Sequence, residues 1–306
     1  MPSILRGRAR SRDRSRTRDR LATGSRPARD RLRGCARAGA QTRLRPGPHV
    51  ARAVRPRCAW HRVGGVVETD GMCGRYAITR RDDELADQYR IDQILGEPPG
   101  PSWNVAPTDP VRVVLERVED ERPQRQLRTV RWGLVPSWAK DPGVGARMIN
   151  ARIETVTEKP AFRKAAARRR AIVPMDGYFE WQKTPARKVP YFLTAADGAQ
   201  HGLAAAGLYE LWPDPSRPAD DPARWLWTVT VITRSATDAL GHIHDRTPLL
   251  IPPDLWDEWL DLGTTSVDDV RSLLEAVPEP HLVPREVGPA VGNVRNNGPE
   301  LVAPVG

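Results

Sequence analysis

The sequence predicts an α+β domain built on a mostly antiparallel, curved or barrel-like β core with flanking helices. Five runs rich in β-branched and aromatic residues read as strands, and four other stretches carry helical signals. The two kinds do not alternate regularly along the chain, which argues against a doubly wound parallel sheet.

In order, "TRRDDELADQYRIDQIL" (79–95) reads as a helix, with Thr79 as its cap, acidic residues early, and Leu85, Tyr89 and Ile94 roughly on one face. "VRVVLERV", "LRTVRWGLV", "RRAIVPMDGYFEWQ", "PYFLTA" and "WLWTVTVIT" are the strands. Shorter helices are predicted at "KPAFRKAAARR", "PPDLWDEWL" and "SVDDVRSLLEAV". The Pro- and Asp-rich "WPDPSRPADDPARW" (212–225) reads as a surface loop inside a hairpin, without chemistry of its own.

All of this lies after residue 71. The 306-residue chain carries a net charge of +10, but residues 1–71 contain 19 Arg, no Lys and 5 acidic residues, a net +14, leaving −4 for the rest. The first segment has no sustained apolar period, so it is expected to be disordered. It reads as a mis-assigned start, with a removed leader or a basic nucleic-acid arm as alternatives. Residues 72–304 form one domain, of a size that suits a single core. No apolar run approaches the roughly 20 residues that span a bilayer, so no membrane partner is expected.

Cysteine usage narrows the chemistry. Cys35 and Cys58 fall in the first segment, leaving Cys73 alone in the domain, which excludes an internal disulfide and a thiolate-rich zinc site. If translation starts at Met72 and that methionine is removed, Cys73 presents an α-amine and a thiol on adjacent carbons. An aldehyde would condense with the amine, and the thiol could then close a five-membered thiazolidine in an intramolecular step. The plainer reading is a small buried residue at a strand start.

Other clusters add to this. "GYFEW" sets Glu180 among aromatic residues, where burial would raise its pKa and suit it to proton transfer. "GHIHDRTP" carries His242 and His244 on alternate positions, so only one of them enters a site; no third metal ligand accompanies them, and neither a metal nor a cofactor is expected. "PSWNVAPT" fixes Asn104 in a Pro-bounded loop that could equally be a simple turn. "RWGLVPSW" and "MINARIET" place Trp132, Trp138, Asn150 and Arg152 where aromatic faces and guanidinium groups would suit unstacked bases and phosphates, though any one tryptophan could be core.

Together "MCGRY", "WNVAP", "RWGLVPSW", "INARIET", "GYFEW", "HDRTP" and the closing "VGPAVGNVRNNGPELVAP" resemble the SOS-response-associated peptidase (SRAP) family of abasic-site-processing proteins over about residues 72–304. That resemblance implies an SRAP-type domain that forms a covalent thiazolidine cross-link to the ring-opened abasic site in single-stranded DNA, shielding the lesion during the DNA damage (SOS) response. It implies Cys73, Asn104, Glu180 and His244 as catalytic residues: Glu180 for ring opening and proton transfer, Asn104 for orienting the sugar, His244 for Schiff-base protons. Arg75, Trp132, Trp138, Asn150, Arg152, Thr233 and Arg246 are implied as DNA contacts, with Arg163 and the run Arg168–Arg170 as possible parts of a basic groove. Lyase-type and thiol (auto)peptidase or hydrolase activities are also implied, as are a monomer, a cytoplasmic or nucleoid location and contact with replication-fork proteins. The chain departs from the family pattern at Thr247, where methionine is usual, and at Arg234 and Thr237.

Overall fold

A computed structural model of the protein describes residues 73–196, 201–236 and 241–305. Residues 1–72, Thr237 and their expected roles lie outside them.

Five strands close a barrel. They are β4 (Pro110–Glu119), β5 (Arg122–Trp132), β11 (Trp225–Ser235), β10 (Leu203–Pro213) and β7 (Arg170–Met175). Each pairs antiparallel with the next except β5 and β11, whose parallel contact at Thr228–Arg131 and Val229–Trp132 shuts the ring. Closure removes the exposed edges that an open sheet would present. Both flanks of β11 are shared: past β5 it pairs with β6 (Asn150–Arg152), and past β10 with β12 (Arg246–Pro248).

Strand alternation separates two cores. Val113, Leu115, Val130, Trp132, Val173, Tyr209 and Val229 point into the barrel. Val114, Leu127, Ile172, Leu208 and Ile232 point outward, against α1 (Asp82–Tyr89), α2 (Arg163–Arg168), α3 (Trp256–Leu260) and α4 (Val267–Ala276). The interior is tight enough that a Cβ on Gly207 would sit 3.1 Å from Val173 and 3.2 Å from Val229. Helix α4 follows its sequence closely. Ser266 Oγ accepts from the Asp269 N–H, Asp268 and Asp269 occupy the positive end, and Val270, Leu273 and Leu274 are buried at helical spacing.

A second, wholly antiparallel sheet lies over the barrel core, in the order β13 (Leu282–Glu286), β9 (Lys188–Ala195), β8 (Gly177–Lys183), β1 (Arg75–Ile78) and β3 (Ser102–Val105). Tyr76, Ile78, Val105, Tyr178 and Leu193 join the barrel's apolar cluster. On the opposite face, Ala77, Phe179 and Phe192 pack on Val287, Val291 and Leu301 of the closing segment.

Several expectations need correction. Thr79 does not cap α1: its N–H and hydroxyl both donate to Asp176 at 2.7 Å, while the Arg81 N–H at the helix start donates to Glu84. Ile94 leaves the helix for the short strand β2 (Gln93–Leu95), paired with β5. The run 169–182 is two strands in different sheets, turning at Asp176. The 212–225 segment agrees with its expectation as a hairpin connection, its ends Trp212, Pro213 and Trp225 being the last and first residues of β10 and β11.

Candidate active site

Cys73 stands immediately before β1, which pairs with β8 through Arg75–Phe179 and Tyr76–Tyr178. That pairing brings Cys73 beside Glu180: the Cys73 nitrogen donates to Glu180 Oε1 at 2.5 Å. Both residues are buried, at 5% and 4% exposure. Cys73 also holds a left-handed backbone, with φ 44°, a region costly for a residue with a Cβ.

Burial raises both acids. Burial pushes the Glu180 carboxyl above its ordinary range, opposed by hydrogen bonds from Cys73 and by the positive charge of a protonated His244. The Cys73 thiol is pushed well up, first by burial and then by the Glu180 charge. Both shifts run toward the neutral forms, and a carboxylate of raised pKa is a better proton acceptor from nitrogen than an ordinary one.

His244 approaches from the loop before β12. The two histidines do not follow strand alternation, which would put positions 242 and 244 on one face: the segment is a turn, with His242 exposed, Ile243 buried and His244 half-buried. The Arg246 N–H donates to His244 Nδ1 at 3.2 Å, which puts the neutral ring's proton on Nε2. The same Nδ1 lies 2.9 Å from the exposed Asp245 carboxylate, a contact favourable when Nδ1 carries a proton.

Asn104 is buried on β3 and clamped. Its Nδ2 donates to the carbonyls of Asn293 at 3.0 Å and Asn296 at 2.9 Å, with Val291 at 3.3 Å, and its Oδ1 accepts from Arg75 at 2.9 Å. Arg75 also donates to the Val291 carbonyl at 2.8 Å and lies over the Trp181 ring, 5.9 Å from its centroid. The closing segment therefore holds the Asn104–Arg75 pair, and Asn104 keeps one lone pair for anything else.

The other expected DNA contacts divide. Trp138 is 65% exposed and Arg152 is exposed, both available to a ligand. Trp132 is not: at 1% exposure it fills the barrel and donates its indole N–H to Ile149, so it has no free face for a base. Thr233 is fully buried and accepts from Arg246. Arg246, 8% exposed, is fixed by Glu154 in a two-bond pair at 2.5 and 3.0 Å, which commits its two terminal nitrogens while its buried Nε has no hydrogen-bond partner among the described residues. Asn150 is half-buried in β6 beside Val231. Arg170 also leaves the expected groove: it is buried, donating to the carbonyls of Trp259, Ala166 and Thr264.

Sequence reasoning missed Tyr178, whose hydroxyl lies 3.0 Å from that of Thr247 in the buried wall of the site. It also missed the carbonyls around Asn104, which carry no residue-type signal at all.

The SOS response associated peptidase (SRAP) family matches residues 72–294. The chain belongs to this family. Among SRAP relatives, it is 36% identical over 233 residues to abasic site processing protein YoqW of Bacillus subtilis (strain 168), covering 76% of this chain and 99% of that one. It is 32% identical over 240 residues to YedK of Escherichia coli (strain K12), covering 76% and 100%. HMCES of Xenopus tropicalis is 30% identical over 270 residues, with 76% and 78% covered. A crystal structure of a protein from Bacteroides thetaiotaomicron superposes with a TM-score of 0.61 at 22% identity, over 76% of this chain and all of that one. At that identity the likeness speaks for the SRAP fold alone.

Proposed function

We propose that this protein processes abasic sites in single-stranded DNA by cross-linking them through Cys73. The relatives named abasic site processing proteins support the general activity. The observation that carries the mechanism is the 2.5 Å contact between the Cys73 nitrogen and a buried carboxyl of raised pKa.

The reaction requires Cys73 to be amino-terminal, with residues 1–71 either untranslated or removed along with Met72. Its nitrogen is then an amine, with a reference pKa near ~8. Glu180 takes the ammonium proton, and the neutral amine attacks the aldehyde carbon of the ring-opened sugar. Loss of one water gives the iminium. The thiol adds to its carbon and gives up its proton, closing the thiazolidine, so the net change is one water lost. His244, donating through Nε2, serves the departing hydroxyl and the reversal. Arg75, held by Asn104, together with Arg152 and Trp138, receives phosphate and flanking bases. Trp132, Thr233 and Arg246 serve as framework. The same iminium would acidify the neighbouring sugar proton and permit lyase behaviour. We place the protein as a monomer in the cytoplasm, on the nucleoid when engaged, with replication-fork proteins as candidate neighbours.

The test is the intact mass of a denaturant-resistant product formed on an oligonucleotide with one abasic site. The expected mass is the chain from Cys73 plus oligonucleotide, less one water. Free protein with a verified Cys73 terminus and free oligonucleotide would end the proposal.

A second reading draws on the same contact: a carboxyl beside the Cys73 nitrogen is placed to protonate the amine leaving from a peptide bond. This would make the protein a thiol autopeptidase that uncovers its own Cys73. Retention of residues 1–72 on a purified full-length chain would exclude it.

A further inference from the structure

We infer that Thr247 is a positioning residue for the reaction proposed above, acting through its buried hydroxyl pair with Tyr178. The inference rests on that proposed function. Tyr178 and Glu180 are two residues apart on β8, so their side chains leave the same face of the strand. Thr247 lies three residues beyond His244, on β12, which is held to β11 by the pairings Thr233–Pro248 and Arg234–Thr247. The 3.0 Å contact between the two hydroxyls therefore joins the strand that carries Glu180 to the edge strand that follows His244.

Both partners are buried, Tyr178 at 1% and Thr247 at 3% exposure. A hydrogen bond withdrawn from water is electrostatically stronger than one at a surface. Another tie from β8 reaches the turn before β12, Gln182 Nε2 to the His242 carbonyl at 3.3 Å, and is long and exposed, so the hydroxyl pair is the stronger link. Tyr178 belongs to the same apolar cluster as Cys73, and its phenol is pushed up by burial and then by the charges of Cys73 and Glu180, so the pair lies near the reacting groups.

The experiment uses chains beginning at Cys73, with Thr247→Val, Thr247→Ser and Tyr178→Phe made singly and Thr247→Val with Tyr178→Phe combined. Single-turnover cross-linking is followed across a range of abasic oligonucleotide concentrations. Thr247→Val is expected to slow the maximal rate by roughly 5–10-fold with the half-saturating concentration unchanged. Tyr178→Phe should match it, the double variant should be no slower than either, and Thr247→Ser should restore the rate. Parent-like rates in both Thr247→Val and Tyr178→Phe, whatever their melting temperatures, would overturn the inference while leaving the proposed function standing. No adduct with the unsubstituted protein would overturn both.

Discussion

Gly177 lies so close to Phe192 that a Cβ on it would fall 2.5 Å from the ring's Cζ and 2.6 Å from the Leu193 carbonyl oxygen. The glycine precedes Tyr178 and stands three residues before Glu180, so the contact sets how closely β8 lies on β9. Gly177→Ala should cost about 1–3 kcal/mol by overpacking, read as a lowered urea midpoint at unchanged slope. A parent-like midpoint would mean that β8 can shift at no cost.

The raised Glu180 carboxyl predicts a pH-dependent stability in the full chain, where the Cys73 nitrogen is an amide. A carboxyl with a folded pKa above its unfolded value stabilises the fold below the unfolded pKa, near ~4.3, and that contribution is lost as pH rises through the folded value. Glu180→Gln has no charge to bury. Its melting temperature should exceed the parent's at pH 8, with the gap narrowing toward pH 4. An equal gap at both pH values would show that Glu180 keeps one protonation state throughout.

The two tryptophans of "RWGLVPSW" should behave oppositely. Trp132→Ala removes a barrel-filling side chain and should cost about 3–5 kcal/mol of stability. Trp138→Ala should leave stability within about 0.5 kcal/mol and weaken single-stranded DNA binding by about 1–3 kcal/mol if a base stacks there. Denaturant titration and fluorescence anisotropy on the same samples separate the two effects.

Arg246 and Arg152 offer a similar contrast. Arg246→Lys breaks a two-bond pair with Glu154, for about 1–3 kcal/mol of stability, without altering the salt dependence of DNA binding. Arg152→Ala should leave stability near the parent's and reduce the slope of log affinity against log salt by about one. A changed slope in the Arg246 variant would return that residue to the DNA surface.

Much of the barrel is legible because β4, β11 and the end of β5 (Thr129, Val130, Trp132) carry Val, Ile, Thr and Trp, residue types that suit strands. Strand β10 is not, since its first half reads Leu-Ala-Ala-Ala-Gly-Leu. Ala205 and Gly207 face a crowded interior and Ala204 and Ala206 lie under helices, so packing selects small residues against β propensity. The break at Asp176 is hidden because the residues on both sides continue to look like strand. Its signal is tertiary: the Asp176 carboxylate gathers Thr79 and Arg80 from another segment. In the site, Cys73, Glu180, His244 and Asn104 were visible as residue types in motifs. Which tryptophans are buried was not, because exposure depends on barrel closure and not on neighbouring residues.

The left-handed turn at Cys73 has a further consequence. The torsion φ exists only where a carbonyl carbon precedes the nitrogen, so a chain whose first residue is Cys73 has no such angle to constrain. Cleavage before Cys73 would therefore release about 1–2 kcal/mol of backbone strain and free its nitrogen to rotate. The peptide bond whose loss would create the nucleophile is also what brings this strained torsion into existence.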